Sequence, residues 1–240
     1  MYDDIRNPRQ QLLDACHHPA RGERRGTLVI GHGVTANKDR EWAVVLAERA
    51  AAAGFEALRF SFAGNGASQG RFEDSYPTSE VEDLGAVLDA VEASDAGPIA
   101  YAGHSMGAAV GVLRASSDTR IAKLISLGGM VHTAAFAERK FAGLRPGDLM
   151  WDKPGCPISQ DFLDDMQRVD SVLPLASSIA VPWLLVHGDG DTVVPHSESE
   201  AIGKAACGPT QFVLLPGVDH VFTHAAERMA SIVVPWLLGR

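Results

Sequence analysis

The chain has 240 residues, of which 46% are apolar and 21% charged, a balance that supports a packed core and excludes both a disordered and a predominantly membrane-embedded protein. Its 21 lysines and arginines against 30 acids leave a net charge of −9, which repels phosphate backbones and anionic headgroups and argues against nucleic-acid and membrane partners. The three cysteines, Cys16, Cys156 and Cys207, are far apart and form no C-x-x-C pair, so neither a disulfide framework nor a metal site is expected, and a cytoplasmic setting fits best.

The first eight residues hold no apolar signal-like segment, and no window approaches the roughly 18 uninterrupted apolar residues of a membrane span. A polar lead-in follows, with an edge strand expected over Leu12 to Cys16. From there short apolar runs alternate with helical periodicity. Strands are predicted at Thr27–Ile30, Ala57–Phe62, Ile99–Ala102, Ile121–Leu127, Trp183–Val186 and Phe212–Leu215. Helices are predicted at Asp39–Ala53, Ser79–Ala93, Met106–Ala115, Ser197–Ala206 and Phe222–Leu238. The strand runs are continuously apolar rather than alternating, as strands covered on both faces are. About six parallel strands flanked by helices are expected, in one α/β domain over residues 1–240. The stretch from about Met130 to Ile179 is longer than a crossover needs and is rich in aromatic residues, so residues 130–179 are expected to form a small cap.

Of the 24 glycines, ten cluster at predicted strand ends: Gly31 and Gly33, Gly64, Gly66 and Gly70, Gly103 and Gly107, Gly188 and Gly190, and Gly217. Glycine serves where backbone turns sharply or approaches something closely, so one edge of the sheet is marked for chemistry. Two stretches match G-x-S-x-G, at Ser68 and at Ser105. A nucleophile elbow is a tight strand-to-helix turn that lifts the serine Oγ above the sheet. Ser105 follows Pro98-Ile-Ala-Tyr-Ala and precedes the small-residue helix Ala108-Ala-Val-Gly-Val, whereas Ser68 is followed by loop. Ser105 is therefore the candidate nucleophile and Ser68 a bystander.

The acid and base should follow in the order Ser, Asp, His. The strand at Trp183 ends in His187-Gly-Asp-Gly-Asp-Thr-Val-Val-Pro, where Asp191 lies far enough out to reach a neighbouring loop and Asp189 is read as a turn former. Of the later histidines, His220 sits just beyond the last strand, His224 is expected in the final helix, and His196 is too close to Asp191 in sequence. The oxyanion hole needs one N–H from the residue after the nucleophile, Met106, and one from the first strand-to-helix loop, Val34. His32 has no second ligand at metal spacing; a structural role and a substrate contact are both open to it.

Together these residues resemble the α/β-hydrolase superfamily. Within it, the stretches His32-Gly-Val-Thr-Ala-Asn-Lys-Asp, Arg59-Phe-Ser-Phe-Ala-Gly-Asn-Gly-Ala-Ser-Gln-Gly, His187-Gly-Asp-Gly-Asp-Thr-Val-Val-Pro and Pro216-Gly-Val-Asp-His are similar to small bacterial serine esterases of the cinnamoyl or feruloyl esterase-like group, which is also described with dienelactone-hydrolase-like and serine aminopeptidase-like domains. The resemblance implies the same triad, Ser105, Asp191 and His220, and the same oxyanion donors. Two departures stand out: Val34 replaces a common phenylalanine, and the amino terminus is short for the group's leading hairpin. The expected activity is hydrolysis of esters of small to medium hydrophobic, including aromatic, acyl groups, with Phe136, Trp151 and Phe162 of the cap as candidate substrate contacts. That chemistry needs neither metal nor organic cofactor. Thioester or peptide hydrolysis, and a low-turnover ligand-binding role, stay open beside it, as does a homodimer.

Overall fold

The computed structural model describes residues 2, 4–94 and 97–239. Seven strands, β1 (Ala15–His18), β2 (Gly26–Gly31), β3 (Phe55–Phe60), β4 (Ile99–His104), β5 (Ile121–Leu127), β6 (Trp183–Gly188) and β7 (Thr210–Leu215), form one sheet in the order β1-β3-β2-β4-β5-β6-β7. The six strands from β2 onward are parallel, and β1 alone runs antiparallel, pairing Ala15 with Phe60. Every residue of β2, β4 and β6 is buried, which explains why these strands read as unbroken apolar runs.

The edge strand lies three residues beyond the expected start at Leu12. Leu12 and Leu13 are engaged by the lead-in instead: Leu12 bridges Arg6, and the Leu13 N–H donates to the Ile5 carbonyl at 2.8 Å. The half-buried Ala15, Cys16, His17 and His18 are left to pair with β3.

Seven α-helices cover the sheet and build the insertion: α1 (Glu41–Ala52), α2 (Pro77–Ala93), α3 (Met106–Ala115), α4 (Thr133–Phe141), α5 (Gln160–Val169), α6 (His196–Ala205) and α7 (Ala226–Leu237). On one face α2 and α3 bury Leu84, Val87, Leu88 and Val110 against Val29, Leu58, Tyr101 and Leu124. On the other, α1 and α7 bury Trp42, Leu46, Met229 and Val233 against Leu28, Ile30, Ala102 and Val186. Helix α7 starts four residues later than predicted. Phe222 and His224 adopt left-handed backbone (φ 57° and 55°), and the Asp219 side chain accepts the Thr223 N–H at 2.8 Å, so this stretch turns before the helix begins. Among the described residues no helix is long and apolar enough to cross a membrane.

The insertion between β5 and β6 carries α4, α5 and two short 3₁₀ turns at Met150–Asp152 and Leu173–Ser178. Its own core of Phe136, Phe141, Met150, Phe162 and Met166 is continuous with Met106 and Val194 at the top of the sheet. Polar anchors hold it down. Glu198 of α6 accepts the Val131 and His132 N–H groups at 2.7 and 3.1 Å and pairs with Arg139 at 2.9 Å. Asp165 of α5 accepts both the Thr78 N–H (2.9 Å) and the Thr78 hydroxyl (2.8 Å), capping the first turn of α2.

The chain runs from β2 outward to β3 and then crosses back to β4 on the other side, so the order reverses between β2 and β4. In an open parallel sheet that reversal opens a crevice beyond the carboxyl ends of the two strands. The loop after β2 and the turn after β4 therefore face each other there.

Candidate active site

Ser105 sits between β4 and α3 with φ 54° and ψ −119°, a backbone conformation that costs a side-chain-bearing residue energy and is kept where neighbouring structure enforces it. The enforcement is visible. The Ser105 N–H donates to the Leu127 carbonyl at 3.0 Å, and the Ser105 carbonyl accepts the N–H groups of Ala108 and Met130 at 3.0 and 3.1 Å. The turn closes because its flanking glycines lack Cβ atoms: one on Gly103 would meet the Gly107 carbonyl oxygen at 2.2 Å, and one on Gly107 the His32 carbonyl oxygen at 2.4 Å. Ser68, by contrast, spends its hydroxyl on fastening a loop, donating to the Ser61 carbonyl at 2.7 Å and accepting the Asp14 N–H at 2.8 Å.

Asp191 and His220 come from the neighbouring loops after β6 and β7. The His220 Nδ1–H donates to Asp191 Oδ2 at 2.6 Å, which leaves Nε2 as the basic nitrogen. Asp191 Oδ1 accepts the Val193 and Val194 N–H groups, each at 2.8 Å. Burial would raise this carboxyl, but donors from His187 and His220 overcome it and hold Asp191 well below the usual carboxylate range. Asp189 binds the Gly217 N–H at 2.6 Å and so ties the two loops together. His196 stands on the surface near Glu200 at 3.4 Å, and His224 is exposed in the turn before α7.

Ser105 and His220 line one cavity of about 300 Å³ together with Gly33, Val34, Thr35, Ala36, Arg40, Trp42, His104, Phe136, Trp151, Val193 and Val221. No side-chain hydrogen bond joins Ser105 to His220 among the described residues; the two groups share a wall, an arrangement that tightens in many enzymes only when substrate arrives. Val34 and Met106 flank Ser105, and neither N–H is taken up by the loop and turn hydrogen bonds of the described residues.

The four expected substrate contacts divide. Phe136 and the half-exposed Trp151 line the cavity, and Trp151 meets the Phe141 ring edge-on at 4.9 Å. Phe162 does not line the cavity: it is buried in the core of the insertion, its ring edge-on to Phe141 at 6.0 Å. His32 is also removed from the cavity: its Nδ1–H donates to the Gly33 carbonyl at 2.9 Å and its Nε2 accepts the Phe62 N–H at 3.1 Å, which spans the loops after β2 and β3. Burial first, then the Arg40 and Lys153 charges, lowers His32 to about 4, so it stays neutral in this structural place.

Two histidines beside the site were not anticipated. His187, the penultimate residue of β6, is fully buried; its Nε2–H lies 3.1 Å from Asp191 Oδ2 and 3.0 Å from the Val194 carbonyl, while its Nδ1 accepts the Ser199 hydroxyl at 2.8 Å. His104 donates from Nε2 to the His220 carbonyl at 2.8 Å, and its ring lies 4.7 Å from that of His220. Its Nδ1 is buried without a partner, and burial, with His220 adding to it, lowers His104 to about 3. In the sequence both stand only as histidines at the end of an apolar run, a pattern that does not reveal these contacts. Among the described residues no group of three or more His, Cys, Asp or Glu side chains is placed to hold a metal ion.

Residues 28–232 match the family model described as "Alpha/beta hydrolase family". A solved structure of Est1E from Butyrivibrio proteoclasticus with ferulic acid bound superposes with a TM-score of 0.89 at 26% identity, covering 100% of this chain and 98% of that one. The esterase domain of a Rhodothermus marinus protein superposes at 0.73 with 24% identity, over 97% of this chain and 95% of that one, and bears on the fold. An uncharacterized protein of Mycobacterium tuberculosis is 27% identical over 182 residues, and the match spans 76% of this chain but 59% of that relative. The α/β sheet with its inserted segment, the switch-point crevice and a family match over most of its length lead to one conclusion: the chain belongs to the alpha/beta hydrolase family.

Proposed function

We propose that this protein is a serine carboxylic-ester hydrolase acting through an acyl-enzyme. The observation that carries the reading is the 2.6 Å Asp191–His220 pair opening onto the same cavity as a serine held at positive φ. His220 Nε2 takes the proton of Ser105 Oγ as that oxygen attacks the ester carbonyl, and Asp191 fixes the imidazole tautomer and stabilises the imidazolium. The oxyanion is received by the Val34 and Met106 N–H groups, each worth roughly 3 kcal/mol of transition-state stabilisation. His220 returns the proton to the departing alcohol. Water activated by the same imidazole then releases the acid. The esterase neighbours and the largely apolar cavity wall, with Phe136 and Trp151 on the cap side, support esters of moderately hydrophobic acyl groups, including the aromatic class that Est1E binds. Three unpaired cysteines support a reducing, cytoplasmic setting.

The test is a fluorophosphonate read by intact mass, beside hydrolysis of a neutral aryl ester such as 4-nitrophenyl butyrate. One adduct on the native protein, with none on Ser105→Ala and loss of hydrolysis in that variant, is expected. An equal adduct on both proteins would overturn the assignment.

A further inference from the structure

The chain carries nine more acids than bases, yet no carboxylate lines the cavity beside Ser105 among the described residues, and the permanently charged side chain that does line it is a cation, Arg40. Arginine on an acidic surface ordinarily finds a carboxylate. The acid next to it in sequence, Asp39, is already taken by Lys38 at 2.8 Å and by Arg59 at 2.9 Å. The exposed Glu41 and Asp152 form no ion pair with Arg40 among the described residues. A second cation stands close by: the Lys153 ammonium, on the cap, donates to the carbonyl of Thr35, which itself lines the cavity. Both charges help to hold the His32 imidazole neutral and pull against the burial that raises the Cys156 thiol, and Arg40 acts in the same sense on His104. Arg40 is exposed at the edge of this largely apolar cavity, and a guanidinium with unused donors there is matched by a planar carboxylate that accepts two parallel hydrogen bonds.

We infer that the cavity selects esters that also carry a free carboxylate, held by Arg40 with Lys153 reinforcing the field, so that the substrate class is half-esters of dicarboxylic acids or hydroxybenzoates acylated on the phenolic oxygen. This deepens the serine-esterase reading and rests on it.

The experiment compares matched pairs, 4-acetoxybenzoate with its methyl ester for the leaving-group side and monomethyl adipate with dimethyl adipate for the acyl side, in the native protein, Arg40→Gln and Arg40→Lys. In at least one pair the native protein is expected to favour the anionic member in kcat/KM by about tenfold at low salt, the scale of one charge-assisted hydrogen bond. Arg40→Gln is expected to lose the anionic member about tenfold more than the neutral one, Arg40→Lys to retain part of the preference, and 0.5 M NaCl to compress it, because mobile ions screen a charge at a cavity mouth. Equal rates for both members of both pairs, or equal losses on Arg40→Gln, would overturn the inference. Binding of 4-hydroxybenzoate and its methyl ester to Ser105→Ala, followed by calorimetry, separates the two readings because it needs no turnover. Tighter binding of the anion that disappears in Arg40→Gln supports the carboxylate site even where ester hydrolysis fails, and equal binding rejects it even where hydrolysis succeeds.

Discussion

Asp191 carries more donors than a carboxylate needs simply to stay ionised. His220, His187, and the Val193 and Val194 N–H groups converge on its two oxygens, so the carboxylate cannot turn away from the imidazole it orients. Under the proposed mechanism Asp191→Asn lowers kcat by about 10⁴-fold, because the wrong tautomer of His220 then faces Ser105. Under the same mechanism His187 acts through Asp191, which its Nε2 meets at 3.1 Å. His187→Ala strips one donor from the acid and leaves the buried Ser199 hydroxyl without its acceptor, an expected loss of about 1–3 kcal/mol in stability. It is also expected to lower kcat with a smaller effect on KM. Urea denaturation together with separate kcat and KM values checks this; a stability loss with unchanged kcat would make His187 a packing residue alone. The placement of Ser105, Asp191 and His220 along one edge of the sheet was legible because each lies in the segment just beyond a strand, and strand ends are readable from apolar runs. His187 was not, since nothing in the sequence distinguishes a buried histidine that holds an acid from one that closes a strand.

At the scale of elements, the insertion is fastened by side chains distant in sequence from the groups they bind, and this is where reading the sequence ends. Length and aromatic content marked residues 130–179 as more than a crossover, but Asp165 meeting Thr78 and Glu198 meeting Val131 are pairings that no local pattern encodes. Edge strand β1 was misplaced for a related reason, its four residues being all half-buried and without a hydrophobic rhythm. Asp165→Ala removes the side-chain cap from α2 and is expected to destabilise by about 1 kcal/mol. Because α5 carries that residue, amide exchange should accelerate selectively over Gln160–Val169, with KM rising as Phe136 and Trp151 lose their fixed support. Uniform acceleration across the central sheet would instead mean that the cap does not move as a unit.

For the whole molecule, buried acids set a pH dependence separate from catalysis. Glu80 is buried between α2 and the loop after β3, accepting the Ser75 hydroxyl at 2.9 Å while its second oxygen has no partner; burial pushes its carboxyl well above the usual value of 4.5. A raised acid binds its proton more tightly in the folded chain than in the unfolded one, so its stabilisation is complete below pH 4.5 and declines as pH rises toward the folded value. Glu80→Gln, a neutral isostere, is expected to leave stability near pH 4 unchanged and to raise it at pH 7–8. Thermal unfolding across that range checks the sign, and a variant less stable at pH 8 than the native protein would show that the ionised form is stabilised instead. His104, lowered to about 3, and His32, lowered to about 4, bind protons more readily in the unfolded chain, so between about pH 4 and 6.5 they add a slope of opposite sign, stability rising with pH; it is common to the native protein and Glu80→Gln, and the difference between the two reports Glu80.

The backbone at Ser105 has a consequence of a different kind. At φ 54° and ψ −119° a glycine would rest more comfortably than any residue with a side chain, and holding a serine there costs on the order of 1–3 kcal/mol. Folding alone would therefore never choose this residue. In a lineage released from its chemistry, position 105 would be among the first to drift, and it would drift toward glycine, gaining robustness as it lost its hydroxyl. Under the proposed mechanism, serine at so unfavourable a torsion is what selection for reactivity over durability leaves behind.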